Sequence, residues 1–137
     1  MAETRRRFIL RESPGRFAIV RLEPESPPPG WAFRGPFWSI TRTSEELSLI
    51  VEESGLPSTF VEGDGGKLSR GWAMFRLAGT FELTGETGVV ASISEPIARA
   101  GVAIFVLSTF DTDHLLIPVD RLDEARAAWI AAGHVVE

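Results

Sequence analysis

Cysteine is absent from this 137-residue chain. Disulfide frameworks, thiolate zinc sites, iron–sulfur clusters and cysteine nucleophiles are excluded with it. Positive charge is also short, with 14 basic against 19 acidic residues and a net charge of −5. A protein that neutralises phosphates normally carries a basic surplus, so nucleic acid is not an expected partner. The one basic run, Arg5-Arg6-Arg7, reads as a solvated flank. No apolar stretch approaches the ~18 residues a membrane span requires. The opening MAETRRRFILRES has neither a long apolar segment nor a small-residue cleavage site. These absences predict a soluble cytoplasmic protein without a membrane partner. The glycine-rich stretch Glu62–Lys67 is followed by Leu68 where a phosphate loop needs serine or threonine, and no dinucleotide fingerprint follows a strand. No cofactor is expected.

What is present suits a folded core. The hydrophobic fraction is 44%, ordinary for a globular domain. Phe8–Leu10 and Phe17–Leu22 read as two strands joined in a hairpin by the Ser13-Pro14-Gly15 turn. Prolines 24, 27, 28 and 29 forbid a long helix and leave room for a short helical turn at Gly30–Phe33. Pro36–Arg42 and Glu46–Glu52 read as strands around a turn at Thr43-Ser44-Glu45, and Gly55–Gly71 as a loop. In the second half, Trp72–Leu77 is an expected strand. Val89, Val90, Ile93, Ile97 and Ala100 recur at helical spacing, with Pro96 as an interior fault and Gly101 as the stop. Val102–Leu107 is a continuous apolar run and predicts a central strand covered on both faces, in which Ile104 would be fully buried. Leu115–Val119 follows as a strand. Asp120 is the expected cap of a helix presenting Leu122, Ala125, Trp129 and Ala132, and His134–Val136 is a final strand. Strand, helix, strand, strand, helix, strand is the ferredoxin-like order. The fold class is therefore α+β: two tandem ferredoxin-like subdomains, 8–70 with reduced helices and 71–137 with both.

Ser108, Asp111, Asp113 and His114 have the residue types of a nucleophilic triad, but they crowd into one strand–turn–strand, and no nucleophile elbow is present. No catalytic residue is expected. The same acids with His114 could ligate a divalent ion, but His134 lies far along the chain, and no metal site is expected. Trp31, Phe33, Phe37 and Trp38 have only Arg34 interleaved among them and read as core of the first subdomain. Two polar features remain. Leu83–Val89 (LTGETGV) places glycines and threonines before a helix, where backbone N–H groups can seat a carboxylate. Ser108–Asp113 (STFDTD) ends a strand with hydroxyls and two carboxylates, a seat for a cation. A free amino acid carries both charges on neighbouring atoms.

The segment TGVVASISEPIARAGVAIFVLSTFDTDHLLIPVDRLDEARAAW resembles the ACT domain, and WAFRGPFWSITRTSEELSLIVEE is similar to the opening subdomain of tandem members. The resemblance extends to small bacterial ACT-domain proteins, to the modules of the cytosolic arginine sensor and to aspartate kinase regulatory domains. It implies two tandem ACT-like subdomains, the first degenerate, with no enzymatic activity. Such proteins bind amino acids at subdomain or subunit interfaces and report occupancy to a partner protein. The implied ligand-binding residues are Thr84, Gly85, Thr87, Gly88 and Val89 at the start of the helix, with Ser108, Thr109, Phe110, Asp111 and Asp113 at the strand end. With only two subdomains, a complete pocket calls for a homodimer. The competing expectation is a non-catalytic protein-interaction module without a ligand.

Overall fold

The structure, a computed structural model, describes residues 6–63 and 65–137. The strands are β1 (Ile9–Glu12), β2 (Phe17–Leu22), β3 (Trp38–Arg42), β4 (Leu47–Glu52), β5 (Lys67–Leu77), β6 (Phe105–Ser108), β7 (Asp113–Pro118) and β8 (Val135–Val136). The helices are α1 (Val89–Arg99) and α2 (Leu122–Ala131), and the fold is α+β. The chain divides into two compact units. One joins the N-terminal segment through Pro14 to Ala73–Glu137, and the other is Gly15–Trp72.

This division differs from 8–70 and 71–137 at the first strand. The expected hairpin between β1 and β2 does not form. β1 instead pairs antiparallel with the second half of β5 (Leu10 opposite Leu77) and parallel with β8 (Ile9 opposite Val135). The cause is burial. Phe8 and Leu10 belong to the same core as Phe75, Leu77, Ile93, Ile97, Leu115, Ile117 and Trp129. That core needs helices for cover, and both α-helices are encoded after residue 88. In this unit the strand order is β6-β7-β5-β1-β8. β1 thus occupies the slot between the first and last strands of a strand–helix–strand–strand–helix–strand unit.

Val102–Leu107 is not a central strand. β6 pairs with β7 alone and lies at the edge, and Ile104, Phe105, Val106 and Leu107 are only partly buried. Ile104 and Val106 touch the helix-covered core from its margin. The fully covered strand is β7, with Leu115, Leu116 and Ile117 at 0% exposure. Asp120 does not cap α2. It sits in a 3-10 turn at Val119–Arg121, and the capping position falls on Arg121.

Trp129 of α2 ties its helix both to α1 and to β5. The Trp129 indole N–H donates to the Ile93 carbonyl at 2.9 Å, and its ring meets Phe75 edge-on at 5.0 Å. Pro96 stays inside α1. A proline has no N–H for the carbonyl four residues back and pushes that carbonyl aside. Here that carbonyl belongs to Ser92, and it faces Nε2 of the buried His134 at 3.3 Å. The other ring nitrogen, Nδ1, accepts the Phe8 backbone N–H at 3.1 Å. An accepting Nδ1 fixes the neutral tautomer with its proton on Nε2, so His134 donates to Ser92. One imidazole therefore satisfies α1 and the segment leading into β1.

The other unit is an antiparallel sheet in the order β3-β4-β2, extended by the first half of β5 (Val20 opposite Leu68). Two 3-10 turns, Gly30–Phe33 and Glu53–Gly55, stand where helices would be. Its core is Ala18, Val20, Ala32, Leu47, Leu49 and Val51, with Trp31 and Phe60 packed against it. The aromatic residues split. Trp31 joins the core and Phe37 meets Phe17 edge-on, whereas Phe33 and Trp38 meet each other edge-on at 5.1 Å and stay about half exposed.

Candidate functional site

A cleft of about 400 Å³ opens where the β5–α1 connection meets the β6–β7 turn. Both walls belong to the helix-bearing unit. Its size falls within the usual range for small-molecule sites, ~300–1,000 Å³.

One wall is the start of α1. Gly88 stands at the capping position with φ +76°, a left-handed conformation that favours glycine, and offers no side-chain cap. The first intrahelical bond runs from Ser92 N–H to the Gly88 carbonyl. Val89, Val90 and Ala91 therefore present first-turn amides that no side chain caps, and all three line the cleft. Amides in that position carry the positive end of the helix dipole.

The opposite wall is a tight turn. Ser108 and Asp113 are cross-strand partners, and the Ser108 hydroxyl donates to Asp113 Oδ1 at 2.6 Å. The Thr109 N–H and hydroxyl both donate to the Thr112 carbonyl, at 2.8 and 2.9 Å. Phe110 is left at the tip, 76% exposed. The buried Thr112 hydroxyl donates to the Leu77 carbonyl at 2.8 Å, anchoring the turn to β5. Phe81 N–H donates to the Asp111 carbonyl at 2.7 Å and joins the two walls. Asp113 is only 9% exposed, a buried carboxylate at the strand end. Glu82, Glu86, Asp111 and Asp113 all line the cleft, and among its described lining residues there is no lysine or arginine.

Of the residues expected from sequence, Gly88, Val89, Ser108, Thr109, Phe110, Asp111 and Asp113 converge on this cleft. Thr84, Gly85 and Thr87 do not line it and stay exposed on the connecting loop. Phe81, Glu82, Leu83 and Glu86 line it without having been anticipated. They belong to the loop before the helix, and their only sequence signal is closeness to the helix start. Leu83, Val90 and Phe110 make an exposed apolar rim.

No triad assembles. Successive side chains of a strand point to opposite faces. Asp113 shares a face of β7 with Leu115 and Ile117, and His114 lies on the other. Burial and then the charge of Arg76 hold the His114 imidazole below its ordinary value, against an opposing pull from Asp113. Among the described residues no three His, Asp or Glu side chains gather as a metal would require. No helix among them is long and apolar enough to cross a membrane.

Comparison with known proteins places this geometry. The ACT domain family model matches residues 67–128, and a second model, for an N-terminal domain, matches residues 15–59. A crystal structure of a protein from Agobacterium tumefaciens is 35% identical, with a TM-score of 0.86 over 97% of this chain and 94% of that one. The bovine cytosolic arginine sensor for mTORC1 subunit 1 is 28% identical over 134 residues, 78% of this chain and 40% of the sensor. The chain thus spans about two fifths of that curated relative. The regulatory subunit of aspartate kinase from Thermus flavus shares the fold at 15% identity, with a TM-score of 0.59 over 90% of this chain and 95% of that subunit. Residues 67–128 of this chain are thus an ACT domain, and over nearly its whole length the chain is related to the Agobacterium protein.

Proposed function

We propose that this protein is a non-catalytic, cytoplasmic regulator that senses a free amino acid in the cleft between the start of α1 and the β6–β7 turn. The observation that carries the reading is the pairing of an uncapped helix start with a buried carboxylate across one small cavity. The ligand's carboxylate sits on the amides of Val89, Val90 and Ala91, and its ammonium on Asp113. Charged hydrogen bonds of this kind contribute ~1.5–3 kcal/mol each. Asp111 and Glu82 add negative charge at the mouth, which favours a side chain with a second positive charge. L-arginine is the first candidate, in line with the arginine sensor among the relatives.

The apolar rim of Leu83, Val90 and Phe110 supports closure of the cleft by a second copy, in a homodimer whose paired state the ligand stabilises. Gly15–Trp72 serves as a degenerate ACT-like subdomain. A regulated partner protein then reads the occupied state, with couplings typically ~1–3 kcal/mol. The same rim also suits a competing reading, a protein-interaction module that has no ligand.

The test is a thermal-shift screen of the proteinogenic amino acids followed by calorimetric titration. A ligand at 100 times its Kd stabilises by about 2.7 kcal/mol, an easily measured shift. Sedimentation with and without that ligand reads the dimer. A flat screen, with a monomer in every condition, would leave the interaction-module reading in its place.

A further inference from the structure

The cleft has a fastening that neither of its walls supplies. The β5–α1 connection, residues 78–88, contributes Phe81, Glu82, Leu83 and Glu86 to the cleft and contains no regular structure. Glu86 organises it. One carboxylate oxygen accepts the Glu82 N–H at 3.1 Å and folds the loop on itself. The other accepts Arg6 Nη2 at 3.2 Å. The Arg6 guanidinium also lies 5.0 Å above the Phe8 ring and 6.0 Å from the Phe81 ring, and those two rings are 5.9 Å apart. Phe8 in turn is fixed by its backbone bond to His134. A residue 80 positions away in sequence thus grips the cleft loop by charge and by cation–π contact, from an anchored base.

We infer that Arg6 is a positioning residue of the cleft: it straps the β5–α1 loop in place, so the N-terminal segment and the cleft are coupled. Its effect on a ligand rests on the amino-acid reading given above. The strap itself does not. Coupling is reciprocal, so whatever draws Arg6 away loosens the cleft, and whatever fills the cleft holds Arg6 down.

The experiment is hydrogen exchange by mass spectrometry on the full chain. The ion pair is partly exposed, with side-chain exposures of 44% and 31%, so a modest effect is expected. An ion pair of this kind and a surface cation–π contact together correspond to about three- to tenfold in an opening equilibrium. Arg6→Ala should speed exchange of the amides at 82–88 by that factor, Glu86→Gln, which removes only the ion pair, by a smaller one, and both should leave α2 unchanged. Arg6→Lys, which keeps the charge, should retain part of the slow exchange that Arg6→Ala loses. The strap is overturned if both single variants exchange like wild type, if α2 accelerates equally, or if Arg6→Lys exchanges like Arg6→Ala. In the ligand arm, L-arginine is titrated calorimetrically, and Arg6→Ala should weaken binding by the factor seen in exchange. Unchanged affinity would sink the positioning role. If wild type binds no L-arginine or any other proteinogenic amino acid, the sensing proposal falls and takes Arg6's role toward a ligand with it, while the exchange result alone decides the strap.

Discussion

Replacing His134 with alanine should destabilise the protein by about 2–4 kcal/mol, and Pro96→Ala should rescue part of that loss. The first figure follows from what the ring satisfies. Phe8 is 4% exposed, so its N–H loses its acceptor with little access to water, at about 1–3 kcal/mol. The Ser92 carbonyl loses its donor but is half-buried and recovers part of the bond from solvent. The Phe8–His134 ring contact at 5.6 Å adds up to about 1 kcal/mol. The rescue is the sharper test. Ser92 needs His134 because residue 96 has no N–H to offer. An alanine at 96 supplies that donor from within α1, so losing the imidazole should then cost about 1 kcal/mol less. Urea denaturation of wild type, both single variants and the double variant measures the cycle. Additive losses, within about 0.3 kcal/mol, would refute the claim that the proline and the histidine are one device.

The same histidine sets an acid limit. Burial holds the His134 imidazole below its ordinary value, and the bond to Ser92 opposes that pull. A histidine depressed in the folded state leaves the unfolded chain binding more protons. Stability is therefore complete above about pH 6.5 and should fall as the pH drops through that value. Urea midpoints between pH 7.5 and 5 should show the fall, and His134→Gln should remove part of it, the remainder belonging to His114. In the core, Leu115→Ala should cost about 2–5 kcal/mol as a fully buried truncation in β7. Ile104→Ala, at the sheet margin, should cost clearly less, and equal urea midpoints for the two would contradict the edge position of β6. At the cleft, Asp113→Asn keeps the shape and removes the charge. It should weaken L-arginine binding by about ten- to a hundredfold in a calorimetric titration while shifting the urea midpoint little. A large midpoint shift with unchanged affinity would make Asp113 a fastening for Ser108 and nothing more.

The regular elements were legible because their signals are local. Val89, Ile93 and Ile97 mark the buried stripe of α1, and Leu122, Ala125 and Trp129 that of α2. What stayed hidden depends on partners far away in sequence. Nothing in Ile9–Glu12 says that it will pair with Val135 and Val136, and Pro96 looked like a fault because its compensation lies 38 residues on, in His134. The run Val102–Leu107 misled because apolar residues on both faces of a strand describe partial cover of an edge as well as full cover of a centre. The site was half visible for a similar reason. Ser108–Asp113 compresses its chemistry into one turn, so the sequence displays it. Thr84, Gly85 and Thr87 share the composition of a helix start but sit in a bend that carries them away from the cleft. Glu86 matters only through Arg6.

The place of β1 also orders events at the ribosome. Gly15–Trp72 contains all the strand partners its own sheet needs, so it can close as soon as it has emerged. Ile9–Glu12, made earlier, has to wait. β5 can take one edge once Leu77 is out, but the other edge belongs to Val135 and Val136, and Trp129 completes the shared core only just before them. At ~5–20 residues per second, the 124 residues from Glu12 to Val136 (136 − 12) take roughly 6–25 s to add. Throughout that interval an apolar strand with an open edge trails from the nascent chain. Arg7 and Arg11 bracket its Phe8-Ile9-Leu10 run, and charges beside an unpaired strand oppose edge-to-edge association. Those two arginines guard the chain during the seconds before its last strand exists.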